Sequence, residues 1–456
     1  MRDNQALHVQ PQVISFSEFL SALFQALDKA DVRFCVLRNY EGFPSKNDGS
    51  DLDILIFQFD LPAVIGALRA IRGIRIVGYA ERYSVAHTFV EGVSPAAGIR
   101  ALSVDFIWSI NWKGLPYLTT NTVMQAAIQR HSGDLCFLVP LPVHEAIISL
   151  LSSLLIGRTI KEKYFPSVQD IFTSCRSVVI TALIPGFGLR KATRLVDSVI
   201  GGNREEIRRL VSSLRVSLAL RRLLRSPFCC FLYVAKYFTR EFAVRCMPET
   251  IESIRILSLN SDYRTTIVNG LIPLLKYTAK LVERRNSGPP HAAERTLLDR
   301  TTNTDSRDNA HVVTINIIMK AARWLLDEWL SLFKKRDNLT LRVIENSYYD
   351  TLIRAWMYGV RAPRWLVRLI VHLIPKCDLW ILLDMEAPRL QSHNGEVSFS
   401  TIYMNREFVS FITRTGTKHV ILDSSKPVAN VTENAYASII ETIALRTEKR
   451  LGTRFK

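Results

Sequence analysis

The chain has 456 residues, 48% apolar and 22% charged, the balance of a folded globular protein rather than a disordered or fibrous one. Its length exceeds one ordinary core and suggests two to three domains, and no apolar run is long and charge-free enough to be read as a membrane span. Lysine and arginine outnumber aspartate and glutamate by 59 to 42, a formal charge of +17, so nucleic acid, anionic lipid and nucleotide phosphates are the polyanions to weigh.

The start, Met1 to Pro11, is polar and lacks the apolar segment of a signal peptide. From about 14 to 135 the pattern is that of a small α+β domain. An apolar-periodic helix (Phe16, Phe19, Leu20, Leu23, Phe24, Leu27) is followed by β-branched runs at 32–37, 52–56, 74–77 and 102–107, with a helix near 64–71. Residues 136–250 read as a helical connector, interrupted at Pro185-Gly186-Phe187-Gly188. Within it Arg204–Arg225 forms a strongly basic helix whose stripe of Ile207, Val211, Leu214 and Leu218 suits either packing on a neighbouring domain or an anionic membrane surface. Residues 251–456 alternate strands with long helices, one of them at about 313–334, as a parallel sheet covered on both faces requires, and contain a polar stretch at 284–310 that reads as a mobile loop. Seven scattered cysteines (35, 136, 175, 229, 230, 246, 377), with no C-x-x-C pair, read as reduced thiols of a cytoplasmic protein without a zinc site. The expected class is thus α/β multidomain.

The most informative segment is Gly49-Ser50-Asp51-Leu52-Asp53-Ile54-Leu55-Ile56. Aspartates at i and i+2 of a strand share a face, and like charges held that close are costly unless a cation joins them. Asp105, an acid inside the apolar run 102–107, is the candidate third carboxylate, and the set suits a hard divalent metal. Gly49 and Ser50 offer a small turn whose N–H groups could meet a phosphate. The competing reading is a solvated aspartate pair at a strand–turn junction.

This pattern resembles the DNA-polymerase-β-like nucleotidyltransferase superfamily. The framing segment Phe34 to Pro44 and the later Val143-His144-Glu145-Ala146 look like an uncharacterised bacterial branch of it. The resemblance implies Mg²⁺ held by Asp51, Asp53 and Asp105, an NTP whose phosphates meet Gly49 and Ser50, and transfer to an unspecified acceptor. In most members the G-S pair ends a strand about ten residues before the D-x-D. Here Gly49-Ser50 touches the D-x-D, and Arg38 holds the earlier place, where it could serve as a phosphate donor or pair with an aspartate.

The rear region resembles thymidylate kinase. After a strand at 254–257, the places of G-x-x-x-x-G-K-T-T are filled by Ser258, Tyr263, Arg264, Thr265 and Thr266, without the glycines that let N–H groups wrap phosphates. Glu345 and Asn346 stand where that family has an acid and a phosphate-binding arginine, and 391–396 and Met404-Asn405 replace its lid arginines. The strand at 379–383 and the ending 420–423 follow the family outline. Losing these groups together removes the charge stabilisation that phosphoryl transfer needs, which implies a pseudokinase. The expectation for the whole chain is nucleotidyl transfer at the front with a non-catalytic rear. A non-catalytic scaffold and a nucleotide kinase are the alternatives, and the two-domain resemblance points to bacterial surface-polysaccharide synthesis.

Overall fold

The computed structural model describes residues 13–45, 51–95, 99–246, 251–258, 261–276, 278–279, 281–286, 340–346, 377–384 and 418–455. The chain divides into two compact units, Met1–Met247 with Leu451–Lys456, and Pro248–Arg450.

The first unit opens with β1 (Ile14–Ser15) and α1 (Phe16–Lys29). Ser15 caps α1 by accepting the Glu18 N–H at 3.2 Å, and the Glu18 carboxylate accepts the Ser15 N–H at 2.7 Å, so two otherwise unpaired donors are satisfied reciprocally. β2 (Cys35–Val36), β3 (Asp51–Leu55), α2 (Leu61–Ala70), β4 (Arg75–Glu81), β5 (Val85–Glu91), β6 (Val93–Ser94) and β7 (Ala101–Ile107) follow. The five-stranded sheet has the order β2-β3-β7-β5-β4, with β3 and β7 parallel and the other pairings antiparallel. The sequence pattern did not distinguish β5 as a strand of its own.

The alternation of β3 and β7, with the β2 segment beside them, sends side chains to two cores. Leu52, Ile54, Val104 and Phe106 join α1 and α2 in one, while Cys35, Leu37 and Leu55 join the helical half of the unit in the other. That half begins after β8 (Ile110–Trp112), β9 (Leu115–Leu118), α3 (Thr120–Gln125) and the hairpin β10 (Ile128–Ser132) with β11 (Leu135–Val139). It comprises α4 (Pro142–Gly157), α5 (Phe165–Ser174), α6 (Arg176–Phe187), α7 (Leu189–Ile200), α8 (Arg204–Arg225) and α9 (Pro227–Cys246).

The break expected at Pro185-Gly186-Phe187-Gly188 falls at Gly188, whose φ of +80° only glycine adopts freely, while Pro185 itself lies inside α6. The stripe Ile207, Val211, Leu214 and Leu218 of α8 is fully buried in the helical core, so that face meets protein and is closed to lipid.

The second unit is an all-parallel sheet of order β13-β14-β12-β15-β16, from β12 (Ile251–Ser258), β13 (Leu281–Asn286), β14 (Thr340–Asn346), β15 (Leu379–Asp384) and β16 (His419–Asp423). Ile254, Ile256, Val343, Leu379 and Ile381 are buried, and so are Arg255 and Arg342 on the alternate positions, so these strands are covered on both faces although only β15 is continuously apolar. α10 (Ser261–Leu275) follows β12 and buries Ile267, Val268, Leu271 and Leu275. At Gly270 an added Cβ would stand 3.0 Å from Thr432 of α11 (Val428–Arg454), so the glycine permits close helix packing.

Arg284–Asn286, taken from sequence as the start of a mobile loop, are instead the end of β13. The rest of that stretch, the helix expected at 313–334 and the lid positions 391–396, 404 and 405 lie outside the described residues.

Candidate functional site

The register of β3 against β7 sets Asp53 directly beside Asp105 and Asp51 beside Ser103. Asp51 and Asp53 alternate with Leu52, so both face away from the α1–α2 core. His87 of β5 pairs with Asp105 on the other side, extending the row to Asp53–Asp105–His87 across three strands. The three sequence-expected carboxylates therefore share one face of one sheet. Gly49 and Ser50, the expected phosphate turn, lie outside the described residues.

Asp53 is 2% exposed and forms an ion pair with the Arg38 Nε. Of the two roles open to Arg38 in the sequence, the structure shows the pairing with an aspartate. Burial pushes the Asp53 carboxyl above its ordinary value, the Arg38 charge and hydrogen bond pull it back, and Asp105 and Asp51 push it further up. The net rise means that burial outweighs the pair. Asp51 is also raised, by burial first and the charge of Asp105 second, against a hydrogen bond with Ser103 and the positive fields of Arg38 and His87. For Arg38 burial acts downward, but the Asp53 charge and hydrogen bond prevail and its pKa rises. His87 Nδ1 lies 2.8 Å from Asp105 Oδ1.

Further cations arrive from the loop joining α4 to α5. Lys161 is held below its ordinary pKa by burial and then by the charge of Arg38, while Asp53 and Asp51 act the other way. Lys163 Nζ lies 3.4 Å from Asn39 Oδ1, which also accepts the Tyr164 hydroxyl at 2.9 Å. The Tyr164 ring has three cations around it: Arg38 at 5.9 Å, Lys161 at 5.9 Å and Lys163 at 5.4 Å from its centroid. Asn39 holds its side chain there from a left-handed backbone, φ +61°. The expected H-E-A segment opens α4. Glu145 accepts a hydrogen bond from Tyr40, whose ring carries Arg130 at 4.7 Å, tying the first turn of α4 to the Arg38–Asn39 segment. Burial raises the Glu145 carboxyl and the Tyr40 hydrogen bond opposes it.

His87, Lys161, Lys163 and Tyr164 were not singled out from the sequence. His87 lies in a strand that the pattern left undivided. The other three occupy a loop about a hundred residues from the D-x-D, with no motif to connect them.

The carboxylates supply the hard oxygen donors that Mg²⁺ prefers, and burial of like charges gives a cation something to offset. As the side chains stand, no group of three or more His, Cys, Asp or Glu among the described residues converges closely enough to hold a metal ion. Arg38 engages Asp53 and His87 engages Asp105.

The candidate site of the second unit is different in kind. α10 starts at Ser261, six residues before Ile267 where the apolar pattern begins, so only Leu259 and Asn260 separate it from Ser258 of β12. Tyr263 is therefore helical, and its hydroxyl donates to the Lys426 carbonyl at 3.4 Å. Arg264, at the position of the phosphate lysine, is 1% exposed and turned into the interior. Thr265 does meet Glu345, donating its hydroxyl to a carboxylate that is 2% exposed. Arg284 binds the other oxygen of Glu345 through Nε at 2.7 Å and reaches Asn269 Oδ1, also at 2.7 Å. Asn346 ends β14. A salt-bridged network thus occupies the end of the sheet where the resemblance puts phosphate chemistry. No protein-family model matches the chain, and no curated protein matches it.

Proposed function

We propose that the first unit is a Mg²⁺-dependent nucleotidyltransferase that moves a nucleotidyl group from an NTP to a hydroxyl or phosphate acceptor. The observation that carries this reading is the β3–β7 register, which puts Asp51, Asp53 and Asp105 on one sheet face, with Arg38 paired to Asp53 and Lys161 in electrostatic reach of Asp53 and Asp51. Asp51, Asp53 and Asp105 would hold the metal, which when bound supplies charge neutralisation at the phosphates and lowers the pKa of the attacking hydroxyl. For this Asp53 has to release Arg38, whose guanidinium is then free to meet a phosphate oxygen. Lys161 and Lys163 add positive charge where a triphosphate needs it, and His87 fixes the orientation of Asp105.

On this proposal the second unit is a thymidylate-kinase-like P-loop domain without kinase activity. Its strand order and the strand–helix unit β12–α10 support the outline. The short β12–α10 connection leaves too few residues for a backbone cradle, and Glu345 is engaged by Thr265 and Arg284. The two-domain resemblance suggests surface-polysaccharide synthesis as the setting.

One observation favours a second reading, a non-catalytic scaffold. The Arg38 guanidinium already neutralises Asp53, as a metal would. Thermal unfolding with Mg²⁺ and each NTP separates the two, because a ligand of the native state must raise the midpoint. The enzyme reading expects a midpoint shift in the wild type that is lost in Asp51→Asn, together with NTP-dependent pyrophosphate release. Absence of a shift with every NTP at millimolar concentration rejects it in favour of the scaffold.

A further inference from the structure

The helix α9 carries an apolar face that the first unit does not use. Leu224, at the end of α8, and Phe228, Phe231, Phe238 and Phe242 of α9 are 82%, 70% or more at the first two phenylalanines, 53% and 68% exposed. With Ala235 they recur at alternating steps of four and three residues, the spacing of one helix face. The opposite placement of α9 is well anchored. Tyr237 packs edge-to-face on Tyr83 at 5.6 Å, Arg240 pairs with Glu81 at 2.9 Å, and Glu241 lies 3.8 Å from Arg82. At Gly114 an added Cβ would be 2.6 Å from the Tyr233 carbonyl oxygen, so the β8–β9 turn meets the α9 backbone directly. The phenylalanines are therefore exposed on a helix held in place, not on a frayed end.

Exposed apolar patches of this kind mark interaction sites, and the surrounding charge selects the occupant. From Arg221 to Phe242 the chain carries five cations against one carboxylate, Glu241; Arg240 is taken up by Glu81 and Arg222 by the Pro116 carbonyl at 2.7 Å, which leaves Arg221, Arg225 and Lys236 to border the aromatic row. Pairing this surface with a second copy would bring like charges together, which is unfavourable. A row of bulky aromatics bordered by arginine and lysine suits an anionic bilayer surface, where rings enter the headgroup–acyl boundary and cations meet lipid phosphate. No single helix among the described residues is long and apolar enough to cross a membrane, so α9 would lie on the surface.

We propose that α9, through Phe228, Phe231, Phe238 and Phe242, docks the protein on anionic lipid. Of the two readings open for the α8 stripe the core takes up that face, and the lipid-facing one falls to the next helix. The test is cosedimentation of the full chain with phosphatidylcholine vesicles carrying about one third phosphatidylserine, compared with pure phosphatidylcholine. The wild type should bind the acidic vesicles and weaken as salt rises from about 0.1 M, where exposed charges act over roughly 10 Å. Phe231→Ser with Phe242→Ser should lower partitioning by about tenfold or more while leaving the circular dichroism and melting midpoint unchanged, since both rings are exposed. Failure to bind acidic vesicles at low salt overturns the proposal, as does binding that the double variant retains. Concentration-dependent self-association abolished by the same substitutions also overturns it, by assigning the face to a second copy.

Discussion

Replacing Arg38 by Gln isolates the electrostatics of the front site. Asp53 is 2% exposed and the Arg38 side chain 21%, so the pair is largely removed from water. Losing one partner of such a pair costs about 3–5 kcal/mol, and the partial exposure of Arg38 argues for about 3 kcal/mol. Most of that is the cost of a buried carboxylate facing Asp51 and Asp105 with its counter-ion gone. The loss must therefore depend on pH. In the native protein the Asp53 carboxyl is already raised, burial first, with Arg38 opposing the rise. Without Arg38 it moves further up, so the folded state binds more protons than the unfolded one above the unfolded pKa of about 3.9, and stability falls as pH increases through that window. Urea unfolding of the full chain, with the transition of the first unit assigned by hydrogen exchange of the β3 amides, should show the larger deficit at neutral pH and a smaller one near about pH 5. Adding Asp53→Asn to Arg38→Gln should recover most of the stability, since the unpaired charge is gone. Millimolar Mg²⁺ should raise the midpoint of Arg38→Gln more than that of the wild type, because no guanidinium competes for Asp53. A deficit below about 1 kcal/mol, or an equal deficit at both pH values, refutes the reasoning.

Asp51→Asn should hold or raise the stability of the metal-free protein at neutral pH, because Asp51 is raised by burial and by Asp105 and its ionised form opposes folding above the unfolded pKa; urea midpoints measured from acid to neutral pH check this, and a clear loss at neutral pH contradicts it. Tyr40→Phe should cost about 1.5–3 kcal/mol by leaving the Glu145 carboxylate short of its donor, read by chemical denaturation; a change within error would show that water replaces the hydroxyl. Glu345→Gln should destabilise the second unit by roughly 2 kcal/mol, as Arg284 and Thr265 lose a buried charged acceptor, and calorimetry on the full chain decides it. No ATP binding is expected at the β12–α10 connection; saturable binding abolished by Thr265→Ala would overturn the reading of that unit.

Local pattern was enough for several elements and insufficient for others. The six buried apolar positions of α1 and the limits of α8 follow from propensity and periodicity, which act within a few residues. The same local rule, alternation along a strand, puts Asp51 and Asp53 on one face whatever surrounds them. What partners them is non-local. Asp105 comes alongside Asp53 through a parallel register, His87 through an antiparallel one, and Lys161, Lys163 and Tyr164 through the packing of α4 and α5. Nothing in the spacing of those residues encodes such contacts. The α8 and α9 helices show the division most clearly. Each has an apolar stripe that periodicity reveals, but periodicity is blind to what lies opposite. Only the packing of α8 into the helical core and the anchoring of α9 by its other side decide that the first stripe is interior and the second faces outward.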